Sequence, residues 1–138
     1  MTKRTITLSN RPPVSISDEN WPIIASASDK DYDNQYEFQA NRISKWFIGV
    51  RQHQEGEFAH EDEKFIVYAT YSYSSNWQNA RVYSAKSGYI FGKDDDMAAA
   101  ILSVADDIAS KEHNGNDASR WATLRDECIA DLPAEELD

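Results

Sequence analysis

Residues 65–74, Phe-Ile-Val-Tyr-Ala-Thr-Tyr-Ser-Tyr-Ser, constrain the fold more than any other stretch. β-Branched and aromatic side chains follow one another there without a glycine, a proline or a charge, which predicts a β-strand. The strand is longer than usual, so we expect it in the middle of a sheet with a partner on each side. Alternation gives it a more apolar face, made of Phe65, Val67, Ala69, Tyr71 and Tyr73.

The segments around this strand predict an antiparallel meander. Gly49 lies inside the preceding strand, where it indicates a bulge or a close approach to another part of the chain. Ser87-Gly88 is a two-residue turn signal. The predicted partner strands are residues 43–52, residues 80–86 and, after that turn, the short piece 89–91, and residues 53–64 form a long acidic connection.

The N-terminal region predicts short elements that cover the sheet. Residues 5–8 alternate like an edge strand, and the two prolines that follow end it because proline donates no backbone hydrogen bond. Residues 17–21 predict either a helix start or a simple turn. In both alternatives we expect Trp21, Ile23 and Ile24 to be buried.

Residues 28–34 predict a polar loop. Three aspartates alternate in this segment, as they do in a calcium-binding loop. The glycine and the distal glutamate of an EF-hand are missing at the required offsets, so we expect a solvated loop without a metal.

The last third changes to a helical period. Apolar residues recur at Met97, Ile101, Val104 and Ile108, and a second stripe follows at Trp121, Leu124, Cys128 and Leu132. Strand-rich sequence followed by helix-rich sequence predicts an α+β fold. We expect an antiparallel meander of three to four strands, two C-terminal helices packed on one face, and a single domain over residues 1–138 with a frayed end at 134–138.

The charge is distributed unevenly. The chain has 24 acidic and 14 basic residues, and its net charge of −10 lies entirely in residues 94–138. This balance argues against direct binding of nucleic acid or of an anionic membrane through the main surface, because both need an excess of cations. It favours a basic partner.

Catalytic and cofactor motifs are absent from the sequence. There is no phosphate-binding loop, dinucleotide fingerprint or zinc-protease motif, so we expect no cofactor and favour a protein that is not an enzyme. His53 and His60 bracket the acidic connection, but a mobile loop does not fix metal ligands, and we expect no metal. A single cysteine, Cys128, and the lack of an apolar spanning run favour a soluble cytoplasmic protein.

The two helices carry many carboxylates beside their apolar stripes. A surface of this kind can imitate the phosphates of a duplex, so the sequence favours an accessory protein that binds a basic or DNA-binding protein, as DNA-mimic inhibitors from mobile elements do. The oligomeric state stays open. The predicted contact residues are Asp95, Asp96, Asp106, Asp107, Asp126, Glu127 and Asp131.

The alternative is a small-molecule site lined by aromatic residues. Tyrosines and tryptophans from neighbouring strands surround one arginine, and such a pocket between the sheet and the N-terminal segment would suit a small acidic or aromatic molecule. The predicted lining residues are Trp21, Trp46, Tyr68, Tyr71, Trp77, Arg81 and Tyr83.

Overall fold

The computed structural model describes residues 3–33, 42–54, 64–75, 83–111 and 118–134. These residues form an α+β fold, as the order of the patterns predicts. The elements are β1 (Lys3–Ile6), β2 (Val14–Ser17), β3 (Ile23–Asp33), β4 (Arg42–Gln52), β5 (Phe65–Ser75), β6 (Tyr83–Phe91), α1 (Met97–Lys111) and α2 (Ala118–Ala130).

The main sheet is an antiparallel meander in the order β3-β4-β5-β6. The prediction that β5 has a partner on each side is confirmed, because β4 and β6 pair with it along its length. The predicted turn at Ser87-Gly88 is wrong. Both residues lie inside β6, opposite Ala69 and Tyr68, so the two strands predicted on either side of that turn form one strand.

The helices cover one face of the sheet and enclose the larger core. The apolar stripes of α1 and α2 pack against the face that includes Val67 and Ala69, as their period predicts. Trp121 and Ile48 are almost completely buried there, and burying a side chain of this size contributes about 1.5–3 kcal/mol. Asp96 begins α1 by accepting a hydrogen bond from the Ala99 amide, at 3.3 Å.

The hairpin of β1 and β2 covers part of the opposite face. Ile6 and Ile16 from the hairpin pack against Ile66 and Tyr68 of the sheet in a second, smaller core. Of the two alternatives for residues 17–21, the turn is correct: β2 ends at Ser17, and its hydroxyl accepts a hydrogen bond from the Asn20 amide. The hairpin itself buries much of the sheet face that Trp21, Ile23 and Ile24 were expected to cover.

The residues after this turn are less buried than predicted. Ile23 is 44% exposed, and Trp21 and Ile24 are only partly buried. Ile24 packs on the helical side, at the point where β3 is irregular relative to β4 between Ile23 and Ala25. Trp21, which precedes β3, packs on the hairpin side. The predicted covering of one face is therefore divided between both faces.

The predicted loop at residues 28–34 is also wrong over the part that the structure describes, because β3 continues to Asp33. The edge position explains how so polar a segment forms a strand. On the helical side, Arg120 of α2 bonds Asp29 at 2.6 Å and pairs with Asp31 at 3.7 Å. Its guanidinium also lies over Trp46, 4.1 Å from the ring centroid. The Asp131 carboxylate also accepts a hydrogen bond from the backbone amide of Ser26.

A polar network joins the hairpin, the sheet and α1 at the other edge. The buried Ser87 hydroxyl donates to the Asp107 carboxylate at 2.6 Å, and Ser9 donates to the same carboxylate oxygen at 3.0 Å. Lys111 pairs with Asp107 at 3.1 Å and donates to Ser9 at 3.0 Å. These contacts fix the end of the hairpin on β6 and α1.

Candidate functional site

The best-formed cavity is a cleft between β1 and the sheet, on the face away from the helices. It has a volume of about 360 Å³, within the roughly 300–1,000 Å³ range of small-molecule sites. Its floor comes from β4, β5 and β6, and its wall comes from the hairpin. The lining residues are Arg4, Thr5, Ile6, Thr7, Ile23, Phe47, Arg51, Tyr68, Ala69, Thr70, Lys86 and Ser87.

Arg51 is the buried cation of this cleft. Its side chain is only 4% exposed. Its Nε donates to the Tyr68 hydroxyl at 3.0 Å, and Nη1 donates to Asp18 and to the Trp21 carbonyl, both at 2.9 Å. Three hydrogen bonds therefore hold the guanidinium in one orientation.

The second terminal nitrogen of Arg51, Nη2, donates to no group in the described part of the chain. Among those same residues, every fully buried side-chain nitrogen and oxygen has a hydrogen-bond partner. Nη2 is therefore not fully buried, and because Arg51 lines the cleft we infer that Nη2 faces it. The cleft thus contains a fixed guanidinium edge with two N–H groups available to an acceptor.

Two further cations line the cleft. The Nε and Nη2 atoms of Arg4 bond both carboxylate oxygens of Asp18, at 3.0 and 3.3 Å. Hydrogen bonding from Arg4, supported by Arg51, lowers the pKa of Asp18. Lys86 is exposed and has no ion pair within the described ranges. Asp18 offsets one of the three positive charges, so the cleft remains cationic.

Apolar surface accompanies these cations. The rings of Phe47 and Tyr68 lie with centroids 5.4 Å apart, and the Arg51 guanidinium lies 5.8 Å from the Tyr68 ring centroid. Ile23 is exposed at the rim. The arrangement suits a molecule with one anionic group and one apolar or aromatic part.

The predicted aromatic pocket residues do not come together as one group. Tyr68 lines the cleft, and Trp21 packs in the same smaller core. Trp46 and Tyr71 are buried on the helical side. Trp77 and Arg81 lie outside the described residues, and Tyr83 is described only as the first residue of β6.

The predicted acidic residues lie on the helical layer and its flanking turns. Asp95 accepts a hydrogen bond from Gly92, and Asp126 pairs with Arg125. Asp96, Asp107 and Asp131 hold the contacts given above, and Asp107 is partly buried. Asp106 and Glu127 are exposed, and their side chains have no polar contact within the part of the chain that the structure describes.

Arg51, Arg4, Lys86 and Phe47 were not among the predicted site residues. One signal could have found Arg51: it shares its strand parity with Phe47 and with the face of β5 that bears Tyr68. A buried charge at that position needs hydrogen-bonding or oppositely charged partners, and the sequence alone does not show which residues they are. Arg4 is placed by the hairpin, whose docking the sequence pattern does not encode.

Metal and thiol chemistry find no support in the described residues. Those residues contain no group of three or more metal-binding side chains. His53 packs edge-on against Trp21, and His60 lies outside the described ranges. Burial raises the pKa of Cys128 to about 11, so its thiol stays protonated at neutral pH.

No family model, curated protein or solved structure matches the chain. Neither helix of the described residues combines the length and apolarity needed to cross a membrane.

Proposed function

We propose that the protein is a non-enzymatic binding protein that holds a small organic anion in the cleft between the hairpin and the sheet. The observation that carries this proposal is the Arg51 guanidinium, which is buried, fixed by three hydrogen bonds and open to the cleft through Nη2. A single cysteine supports a cytoplasmic location.

A carboxylate or phosphate is the chemistry that fits Nη2. A hydrogen bond to a charged group contributes about 1.5–3 kcal/mol, and here the donor is already desolvated and oriented. Lys86 and the Thr70 side chain line the same cleft, where they can contact the remaining oxygens. The rings of Phe47 and Tyr68 offer an apolar surface to the rest of the ligand.

The polar groups near the cleft support binding rather than catalysis. The Lys111 ammonium and the Ser9 hydroxyl are 3.0 Å apart, a separation that would suit a base and a nucleophile. However, the same ammonium also pairs with the Asp107 carboxylate at 3.1 Å, and Ser9 and Ser87 bond that same carboxylate. These contacts join the hairpin, β6 and α1, so we assign this pair a role in the fold.

Phenyl phosphate is the probe for this site, because it joins an anion to an aromatic ring. Titrated into isotope-labelled protein, it is expected to shift the amide resonances of Thr70, Lys86 and Arg51 in a saturable way. Lys86→Gln is expected to weaken binding about tenfold, since it removes one charge-assisted contact of about 1.4 kcal/mol. Lys86 is exposed, so the variant should keep its fold.

Lys93→Gln is the matched control, because Lys93 is an exposed lysine in the turn before α1, outside the cleft. Its affinity for phenyl phosphate should equal that of the natural protein. Benzyl alcohol, which has the ring without the anion, should not bind. Non-saturable shifts, or shifts confined to the helical layer, would reject the cleft as the site.

The outer side of the helical layer supports a second candidate function, binding of a basic protein. Leu102 is 40% exposed on α1, one helical turn before the exposed Asp106. An apolar contact at Leu102 with carboxylates at its rim would complement a basic partner surface. In its specific form the protein is a DNA mimic, carried by a mobile element, that occupies a DNA-binding or defence protein of the host.

Charge reversal tests this second candidate. The triple variant Asp106→Lys, Asp126→Lys and Glu127→Lys should no longer retain host DNA-binding proteins that duplex DNA and high salt release from the natural protein. Asp107 is left unchanged because it stabilises the fold. Asp94→Lys, a reversal in the preceding turn, serves as control. Equal retention by the triple variant would exclude the helical layer as the contact surface.

A further inference from the structure

The half of the sheet that the hairpin leaves uncovered carries a row of cations and hydroxyls. Here Lys30 lies opposite Lys45, and Lys45 lies opposite Ser72. Ser84 follows on β6 in the same row. All four side chains are exposed, and they share the face of the cleft. This row, Lys30-Lys45-Ser72-Ser84, is called the lysine row below.

The lysine row is adjacent to the cleft. The next row along the strands consists of Ser28, Phe47, Thr70 and Lys86, and the last three of these line the cleft. Successive residues on one face of a strand are about 6.6 Å apart, so the two rows are neighbours. Cleft and lysine row therefore form one continuous surface across four strands.

The charges in the lysine row are unfavourable in the protein alone. Like charges directly opposite each other on a sheet face lower stability, and their Cβ atoms are normally about 4.5–5.5 Å apart. Within the described ranges, neither Lys30 nor Lys45 forms an ion pair. The aspartates of β3, Asp29 and Asp31, point to the helical side, where Arg120 binds them. A bound anion would remove this repulsion.

We propose that the lysine row and the cleft together bind single-stranded nucleic acid. Phosphates contact Lys30, Lys45 and Lys86, and a base stacks on the Phe47 ring in the cleft. A basic track beside an aromatic ring is the usual recognition chemistry for single strands, and stacking contributes without regard to base identity. The inference rests on the proposed anion site and extends its ligand from one anionic group to a phosphodiester chain.

The net charge of −10 does not prevent this binding. Among the described elements, the helical carboxylates lie on the opposite side of the sheet, beyond a helical layer about 10 Å thick. At physiological ionic strength the Debye length is about 8 Å, so salt screens much of their repulsion from a ligand on the lysine face. The distribution of charge, rather than its sum, decides which surface can meet a polyanion.

The test measures fluorescence anisotropy of a labelled oligothymidylate of about eight nucleotides, within the ~4–16-nucleotide site sizes of single-strand binding folds. The natural protein is expected to bind it, with affinity falling as salt rises. The double variant Lys30→Gln and Lys45→Gln should bind at least about fivefold more weakly and with a shallower salt slope. Lys93→Gln should bind like the natural protein.

Phenyl phosphate separates this inference from the proposed function. The double variant leaves the cleft residues intact, so it should bind phenyl phosphate unchanged. If the natural protein binds phenyl phosphate but not the oligonucleotide, or if the double variant binds the oligonucleotide equally well, the inference fails and the anion site stands. If the natural protein binds neither phenyl phosphate nor the oligonucleotide, both the proposed function and this inference are wrong.

Two competitors test the class of polymer. Polyphosphate presents the charge without bases, and polyglutamate presents carboxylates on a peptide. Both should compete more weakly than unlabelled oligothymidylate, because neither supplies a base for Phe47. Equal competition by either one, or equal binding of duplex DNA, overturns the assignment to single strands.

Discussion

Gly88→Ala is expected to displace the N-terminal hairpin from the sheet and to lower the free energy of unfolding by about 3 kcal/mol, at the upper part of the usual range for overpacking. A Cβ atom at this position would lie 2.6 Å from the backbone oxygen of Thr7 and 3.3 Å from Leu8. Backbone atoms do not yield as a side chain does. The adjacent hydrogen bonds of Ser9 with Gly88, at 2.8 and 3.2 Å, would be strained as well.

Urea unfolding measures this loss, and phenyl phosphate binding should disappear with it because the hairpin forms one wall of the cleft. Gly49→Ala is the matched control, since Gly49 and Gly88 pair with Tyr68 from opposite sides. Its added Cβ would meet the ring of Phe47 at 2.7 Å, and a ring at the end of a side chain can move. A Gly88→Ala protein as stable as Gly49→Ala would contradict the close approach of the hairpin.

Asp107→Ala is expected to destabilise the protein by about 2 kcal/mol. The change removes the acceptor at 2.6 Å from the Ser87 hydroxyl, which is 1% exposed and keeps only a longer contact with the Ser9 hydroxyl, at 3.3 Å. Losing a hydrogen bond to a charged group costs about 1.5–3 kcal/mol. Lys111 and Ser9 lose a partner too, and both are nearer to solvent. Asp94→Ala, in the exposed turn before α1, should change stability little when measured by the same urea unfolding.

The same network makes stability depend on pH. Burial opposes ionisation of Asp107, yet hydrogen bonds from Ser87, Lys111 and Ser9 together lower its pKa below the ordinary value of 3.8. A carboxylate with a lowered pKa stabilises the fold fully above its unfolded pKa, and this stabilisation is lost as the pH falls through the folded pKa. The lowered pKa of Asp18 acts in the same direction.

Unfolding curves collected between about pH 6 and pH 2 should therefore show stability falling below about pH 4. In Asp107→Asn the decline should be smaller, because one of the two carboxylates with a lowered pKa among the described residues is gone. An Asp107→Asn protein whose stability fell as steeply as that of the natural protein would exclude Asp107 as a source of the acid sensitivity.

The period of the apolar residues was enough to predict the meander and the two helices. The periodicity of apolar residues does not show which residues contact a distant segment of the chain. Ser87 and Gly88 have turn composition, but one binds Asp107 from α1 and the other admits the backbone of Thr7. Likewise, the polar end of β3 has loop composition because its partner, Arg120, lies 91 residues away from Asp29.

The candidate site was less accessible to prediction than the fold. Aromatic residues that are close in sequence separate by strand parity, so Tyr68 faces the hairpin and Tyr71 faces the helices. Parity alone would have placed Arg51 beside Tyr68. The partners that orient Arg51 come from the turn after the hairpin, Asp18 and Trp21, and that arrangement depends on tertiary packing.

Both outer strands of the sheet use side chains from elsewhere in the fold to bind backbone groups at their edges. Asp131 binds the Ser26 amide of β3, while Ser9 binds Gly88 and Lys111 approaches the carbonyl of Lys86 on β6. Unpaired strand edges are the usual templates for aggregation and for strand exchange between molecules. With these groups occupied, another polypeptide cannot pair with the sheet edges at Ser26 or Gly88 without displacing these side chains. These contacts therefore oppose fibril growth by edge addition, a process that β-branched and aromatic residues such as those of β5 promote.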